Sequence, residues 1–211
     1  MRASKTLSLG RTLLSLTALL LCFTLQAIGA EENLIGVANG GKLVESVGNL
    51  PAWPDEDWNG AIDGDLETWA GTVTVFNAPP EGDPHPWAIF AFKDEKTTFI
   101  NKARFFMLTE AVIAENLQSR CGKDFVIEVS TTGTDEGNFK TALKDTVKKL
   151  EKEWEEFEFP AVRAKYVKLT WESNYGDGTY TTMGEFEVYG GTASVKPLGK
   201  LTATWAQIKS E

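Results

Sequence analysis

Between Asn59 and Trp69 the chain reads N-G-A-I-D-G-D-L-E-T-W, with two carboxylates flanking a glycine and a threonine three residues after the second. Oxygen ligands at this spacing suit a hard cation. Asp63 offers a side-chain oxygen and Gly64 lets the backbone bend sharply. The carbonyls of Gly60 and Asp65 can turn inward beside the Thr68 hydroxyl, making the all-oxygen cage that Ca²⁺ prefers. An EF-hand loop begun at Asp63 would end on Thr74, where that motif needs a bidentate Glu, so the EF-hand reading fails. Far along the chain, Gly184 and Glu185 open a second acidic run, G-E-F-E-V-Y-G, able to close the cage. The alternative for the same residues is an Asx-turn whose carboxylates cap backbone amides.

Catalysis has less to work with. A hydrolase or transferase needs a base, a nucleophile and an oxyanion donor in one pocket. The single histidine, His85, lies between two prolines, and the most conspicuous acid pair already belongs to the cation box. The sequence therefore predicts no enzyme. Recognition is better provided for. Trp53 and Trp58 sit in L-P-A-W-P-D-E-D-W, and Tyr175 and Tyr180 in S-N-Y-G-D-G-T-Y. Flat aromatic faces stack on the C–H faces of sugars while neighbouring polar groups bond the hydroxyls. The competing reading is that these rings pack their loops onto the body of the domain.

The elements that must position these residues are mostly strands. Phe125, Ile127 and Val129 alternate with Val126, Glu128 and Ser130, and Val167, Leu169 and Trp171 alternate with Tyr166, Lys168 and Thr170. Trp87 to Phe92 is apolar on both faces, which predicts an inner strand. Turn clusters at 78–84, 131–137 and 174–178 separate these runs, and short strands so spaced describe a sandwich or jelly roll. One segment points two ways. Phe139, Leu143, Val147, Leu150, Trp154 and Phe157 form a helical stripe on a Lys/Glu-rich background.

Four blocks in order, D-G-D-x-x-T-W, F-V-I-E-V-S at 125–130, A-K-Y-V-K-L at 164–169 and the closing G-E-F-E-V-Y-G, resemble the discoidin family over roughly Asn33 to Gly191. This is the coagulation factor V/VIII type C domain, with carbohydrate-binding module family 32, in the galactose-binding-like superfamily. The resemblance implies an all-β antiparallel jelly-roll sandwich of about eight strands, with strands at 139–147 and 154–159 where the stripe suggests a helix. It also implies a structural Ca²⁺ held by Asp63, Thr68 and Glu185, with Gly60, Asp65 and Gly184 as carbonyl donors, and Trp69 packed behind the loop. Sugar-binding members use a His, an Arg, an Asn and an aromatic on their loops, for which His85, Arg120 and Asn174 are available. Carbohydrate is the implied ligand, and a surface protein, for an adhesion or assembly domain, is the alternative.

The ends of the chain say where it works. Arg2, Lys5 and Arg11 precede an apolar run from Leu13 to Phe23 and the sequence Q-A-I-G-A, which predicts a secretory signal cleaved after Ala30 and a secreted or periplasmic protein. Losing those three basic residues takes the formal net charge from −9 to −12. Nucleic acid is thereby excluded as a partner, because its binders need a basic patch to release counterions. The same balance disfavours anionic lipid. Cleavage leaves one cysteine, Cys121, so the disulfide that ties the two ends of the blood-clotting members is absent and stability must come from the core. Residues 192–211 read as a tail outside the domain.

Overall fold

The computed structural model describes residues 31–47, 58–73, 85–148 and 150–190. The leader, Trp53, the turn at 78–84 and the 192–211 tail lie outside them. The chain divides between Glu31 and Glu32 into two units, and the β-sandwich lies in the second.

Among the described residues there are ten strands: β1 (Lys42–Val47), β2 (Ala70–Val73), β3 (Trp87–Ala91), β4 (Thr98–Phe106), β5 (Asp124–Ser130), β6 (Lys140–Thr146), β7 (Trp154–Ala164), β8 (Tyr166–Trp171), β9 (Tyr180–Met183) and β10 (Glu185–Tyr189). A five-stranded sheet runs β1-β3-β8-β5-β6, a three-stranded sheet β10-β4-β7, and β2 pairs with β9 in a two-stranded ribbon. Every pairing is antiparallel. One short α-helix, α1 (Glu110–Ala114), is capped by the Thr109 hydroxyl, which accepts from the Val112 amide at 3.1 Å. No helix among the described residues is long and apolar enough to cross a membrane.

The expected alternation decides which side chains enter the core. Phe125, Ile127 and Val129 are buried while Val126 and Glu128 are only half-buried. Phe105 of β4 sits at the centre, with ring centroids 4.8 Å from Phe125, 5.2 Å from Trp171 and 4.9 Å from Phe186, the last pair stacked. Such contacts add to the area term that dominates a disulfide-free domain. β3 is an inner strand between β1 and β8, as predicted, and Trp69 is buried in the core.

The two-way segment is strand, in β6 and β7. Its helical spacing comes from two strands and a turn that send their apolar residues to different places. Phe157 joins the core, Phe139 packs on the opposite face of the five-stranded sheet, and Trp154 carries the Arg104 guanidinium over its ring at 4.0 Å. β7 passes through Pro160 without breaking. Its register against β4 slips there, Ile100 facing Val162 and Lys102 facing Glu158, so the proline falls in a bulge on an edge strand, where no ladder amide is needed. The A-K-Y-V-K-L block is split between two strands: β7 ends on Ala164 and β8 begins at Tyr166, where the alternation begins.

Candidate functional site

The acidic loop starts from a 3-10 turn, Trp58–Ala61, and is fixed to the body where the Val37 amide donates to Ile62 O at 3.0 Å. Gly64 then takes φ 84°, the left-handed conformation that glycine adopts without penalty. Two Asx-turns follow. The Asp65 amide donates to Asp63 Oδ1 at 2.7 Å and the Glu67 amide to Asp65 Oδ1 at 2.9 Å, while the Thr68 hydroxyl reaches Asp65 O at 3.0 Å and Asp63 Oδ2 at 3.5 Å. The carboxylates thus cap amides, and each keeps further lone pairs. Glu185 opens β10 opposite Phe106, and the preceding Gly184 allows this approach, since a Cβ there would stand 2.4 Å from Phe106 O.

Glu185 is fully buried, and neither carboxylate oxygen has a well-formed hydrogen bond. Desolvation above all, and then the neighbouring Asp63 carboxyl, push its pKa up to about 9, against a smaller opposing pull from the Gly64 amide. A buried carboxyl in this position needs a proton or a cation. No three His, Cys, Asp or Glu side chains converge among the described residues. A cation here would therefore draw on Asp63 and Glu185 with neutral oxygens from Thr68 and the backbone, a donor set that fits Ca²⁺.

A second arrangement lies at the loop end of the sandwich. His85, Glu172, Ser173, Asn174, Gly176, Asp177 and Gly178 line an open pocket of about 280 Å³. Its 174–180 turn is held from within. The Asn174 amide nitrogen donates to Asp177 O at 2.6 Å and Tyr180 O at 2.7 Å, and Asp177 Oδ1 accepts from the Thr179 and Tyr180 amides at 2.8 Å each. Arg120 Nε donates to Asp177 Oδ2 at 3.2 Å, and its guanidinium lies 4.5 Å from the Tyr180 ring centre. Burial pushes the Asp177 pKa up, but those two amides and Arg120 outweigh it and hold the carboxyl below its usual value. Behind the pocket, hydrogen bonds from Ser173 and Thr146 likewise depress Asp124.

The predicted ligand residues divide accordingly. His85 and Asn174 come together in the pocket, with the Asn174 amide committed to its own turn. Arg120 and Tyr180 brace that turn from outside the lining, and Tyr175 donates its hydroxyl to Val147 O at 2.5 Å while its ring packs on the core. Trp58 corrects the sequence reading. Named as a ligand residue with packing as its alternative, it takes the packing role: it is fully buried, edge-on to Phe90 at 6.4 Å, with its indole N–H donated to Val47 O. The large apolar ring gains more from the core than a loop can offer. The sequence reading missed Glu172, Ser173 and Asp177. For Ser173 and Asp177 the signal was the S-N-Y-G-D-G turn itself, whose polar groups were available as ligand groups as well as turn formers; Glu172 precedes it.

Comparison with solved structures finds the same sandwich fold in several carbohydrate-binding modules and in a chitobiase domain. A family 32 module from Clostridium perfringens, in complex with GalNAc-β-1,3-galactose, aligns over 76% of this chain and 100% of its own, at 18% identity and a TM-score of 0.55. The second chitosan-binding module of a Paenibacillus sp. IK-5 chitosanase/glucanase, in complex with chitotriose, aligns over 75% and 100% at 19% identity and a TM-score of 0.54. The C-terminal domain of a Bacteroides fragilis chitobiase aligns over 77% and 98% at 15% identity and a TM-score of 0.56. These likenesses bear out the discoidin-type fold. Comparison with curated protein sequences gave no match. The Sad1/UNC-like C-terminal family model matches residues 82–192, more than half of the 211, and the chain belongs to that family.

Proposed function

We propose that the chain is an exported, non-catalytic module that binds carbohydrate at the loop-end pocket, on a sandwich braced by Ca²⁺ between the acidic loop and β10. The observation that carries this reading is the pocket itself, open, polar and walled by a turn whose hydrogen bonds are complete before any ligand arrives. Pre-organisation of this kind lowers the ordering cost that limits weak glycan binding. The glycan complexes of the compared modules support the ligand class. Two candidate nucleophiles among the described residues are otherwise engaged. The Ser173 hydroxyl is donated to Asp124, and the Cys121 thiol is buried with its pKa pushed up to about 11. Cleavage near Ala30 would deliver residues 33–191 as a single domain outside the cytoplasm, with 192–211 as a tail.

The test is a glycan array on the mature protein in Ca²⁺, followed by calorimetry with His85→Ala and with Glu172→Gln. Binding lost in these variants at unchanged melting temperature supports the pocket. Binding of a surface protein with no glycan bound would transfer the function to adhesion.

A further inference from the structure

The five-stranded sheet is buried on both faces at β3, and only one of those faces meets the sandwich core. Ala88 and Phe90 point into the core, whereas Ile89 and Ala91 join Tyr166 in a separate buried cluster on the other side, with Trp87 and Phe139 packed against it. The β5–β6 turn covers that outer face. The Ser130 hydroxyl donates to Gly133 O at 2.6 Å and accepts from the Thr132 and Gly133 amides, and the Asn138 amide donates to Asp135 O at 2.9 Å, so the turn is a fixed wall. The opposite wall is Glu45 on β1. Leu43 pairs with Phe90 and Glu45 with the adjacent Ile89, which requires a bulge at Val44, and the bulge aims Glu45 outward onto the same face as Ile89. Between the walls is a cleft of about 330 Å³ lined by Glu45, Trp87, Ile89, Thr134, Asp135, Glu136, Phe139 and Lys168.

We propose that this cleft is a second carbohydrate site, distinct from the loop-end pocket, that takes a sugar chain bearing free amines. Trp87 and Phe139 supply half-buried aromatic surface for the C–H faces of the rings. The lining carries three carboxylates, Glu45, Asp135 and Glu136, and one ammonium. That ammonium, Lys168, lies 4.8 Å from the Trp87 ring centre and is drawn towards Glu128 at 4.0 Å, outside the lining. The field in the cleft is therefore negative and favours a cationic ligand. A peptide is the poorer fit, because the floor is made by β3 and β8, inner strands whose amides are spent in ladders on both sides, and extended peptides need a free edge.

The experiment titrates the mature protein with a fully deacetylated glucosamine hexamer and with its N-acetylated counterpart, by calorimetry. The site predicts that the amine form binds at least about tenfold more tightly, about 1.4 kcal/mol, and that added salt weakens it. Glu45→Gln with Glu136→Gln, an exposed pair, should abolish that preference at an unchanged melting temperature. Trp87→Leu, which keeps apolar bulk but loses the flat face, should weaken both forms. His85→Ala should leave amine binding intact, which separates this site from the loop-end pocket. Equal affinity for the two hexamers, undiminished binding by the double Gln variant, or loss of amine binding in His85→Ala would each overturn the proposal.

Discussion

The loop-end turn and the acidic loop are built from the same residue types, Asp, Asn, Gly and Thr, and end in opposite electrostatic states. In the turn, Asp177 accepts two amides and a guanidinium and stays ionised. In the acidic loop the Asx-turns satisfy Asp63 and Asp65, but Glu185, which meets them from β10, is buried without a well-formed hydrogen bond. One region is complete on its own, and the other keeps a buried carboxyl that a proton or a cation would have to compensate. A ligand pocket benefits from the first state because its shape does not wait for the ligand. A structural ion site depends on the second, because the ion must find its charges uncompensated.

The largest expected effect concerns the anchor of the acidic loop. Trp58→Ala removes a fully buried indole from between the loop and the five-stranded sheet and should cost about 3 to 5 kcal/mol. Denaturant melts measure this. A loss below about 1 kcal/mol would mean that the ring is peripheral and the loop is anchored in some other way.

Next in size is the cation. Ca²⁺ at a hundredfold excess over its Kd should stabilise the domain by about 2.7 kcal/mol, and EDTA should reverse this. Glu185→Gln should abolish the response while stabilising the ion-free protein near neutral pH, since the amide is already neutral and folding need not take up a proton. A Ca²⁺ response that survives in Glu185→Gln would move the ion elsewhere. The pH dependence has a definite sign. The folded pKa of Glu185 is raised from 4.5 to about 9, so between these values the folded state holds a proton that the unfolded state has lost. Without Ca²⁺, stability should fall as pH rises through this window, and Ca²⁺ should oppose the fall by replacing the proton. Melting curves from pH 5 to about 9, with EDTA and with Ca²⁺, check it; a flat EDTA profile would show that Glu185 ionises freely.

The fold was legible in the sequence, because alternation at 125–130 and 166–171 and the turn clusters between strands are local signals that tertiary packing reinforced. The acidic loop and Glu185 were legible as a spacing, though the burial that makes Glu185 informative was not, since it depends on β10 meeting the loop across more than a hundred residues. Trp58 was misread for the same reason. A tryptophan among Pro and Asp looks like loop surface, and only the packing of the 3-10 turn against Phe90 shows otherwise. The stripe from Phe139 to Phe157 pointed to a helix on its period alone, and the resemblance resolved it as the strands that β6 and β7 are. A strand-turn-strand can mimic a 3.6-residue period when its apolar residues serve three environments, and local pattern cannot distinguish these. The outer-face cleft gave no sequence signal at all, because it depends on a bulge at Val44 and a turn more than eighty residues away.

The smallest effect tests the completed side of the comparison. Asp177→Asn keeps the shape of the loop-end turn but removes the charge that the Thr179 and Tyr180 amides and Arg120 surround, and should cost about 1 to 2 kcal/mol at neutral pH. Its pH signature is opposite to that of Glu185. The folded pKa of Asp177 is depressed, so its contribution is present above the unfolded value near 3.8 and is lost as pH falls through the lower folded value. The parent protein should therefore lose this increment on acidification while the Asn variant does not, and the two melting curves should converge at low pH. Curves that stay parallel into acid would mean that the turn is held by its backbone and Asn174 alone, with the Asp177 charge free to meet a ligand.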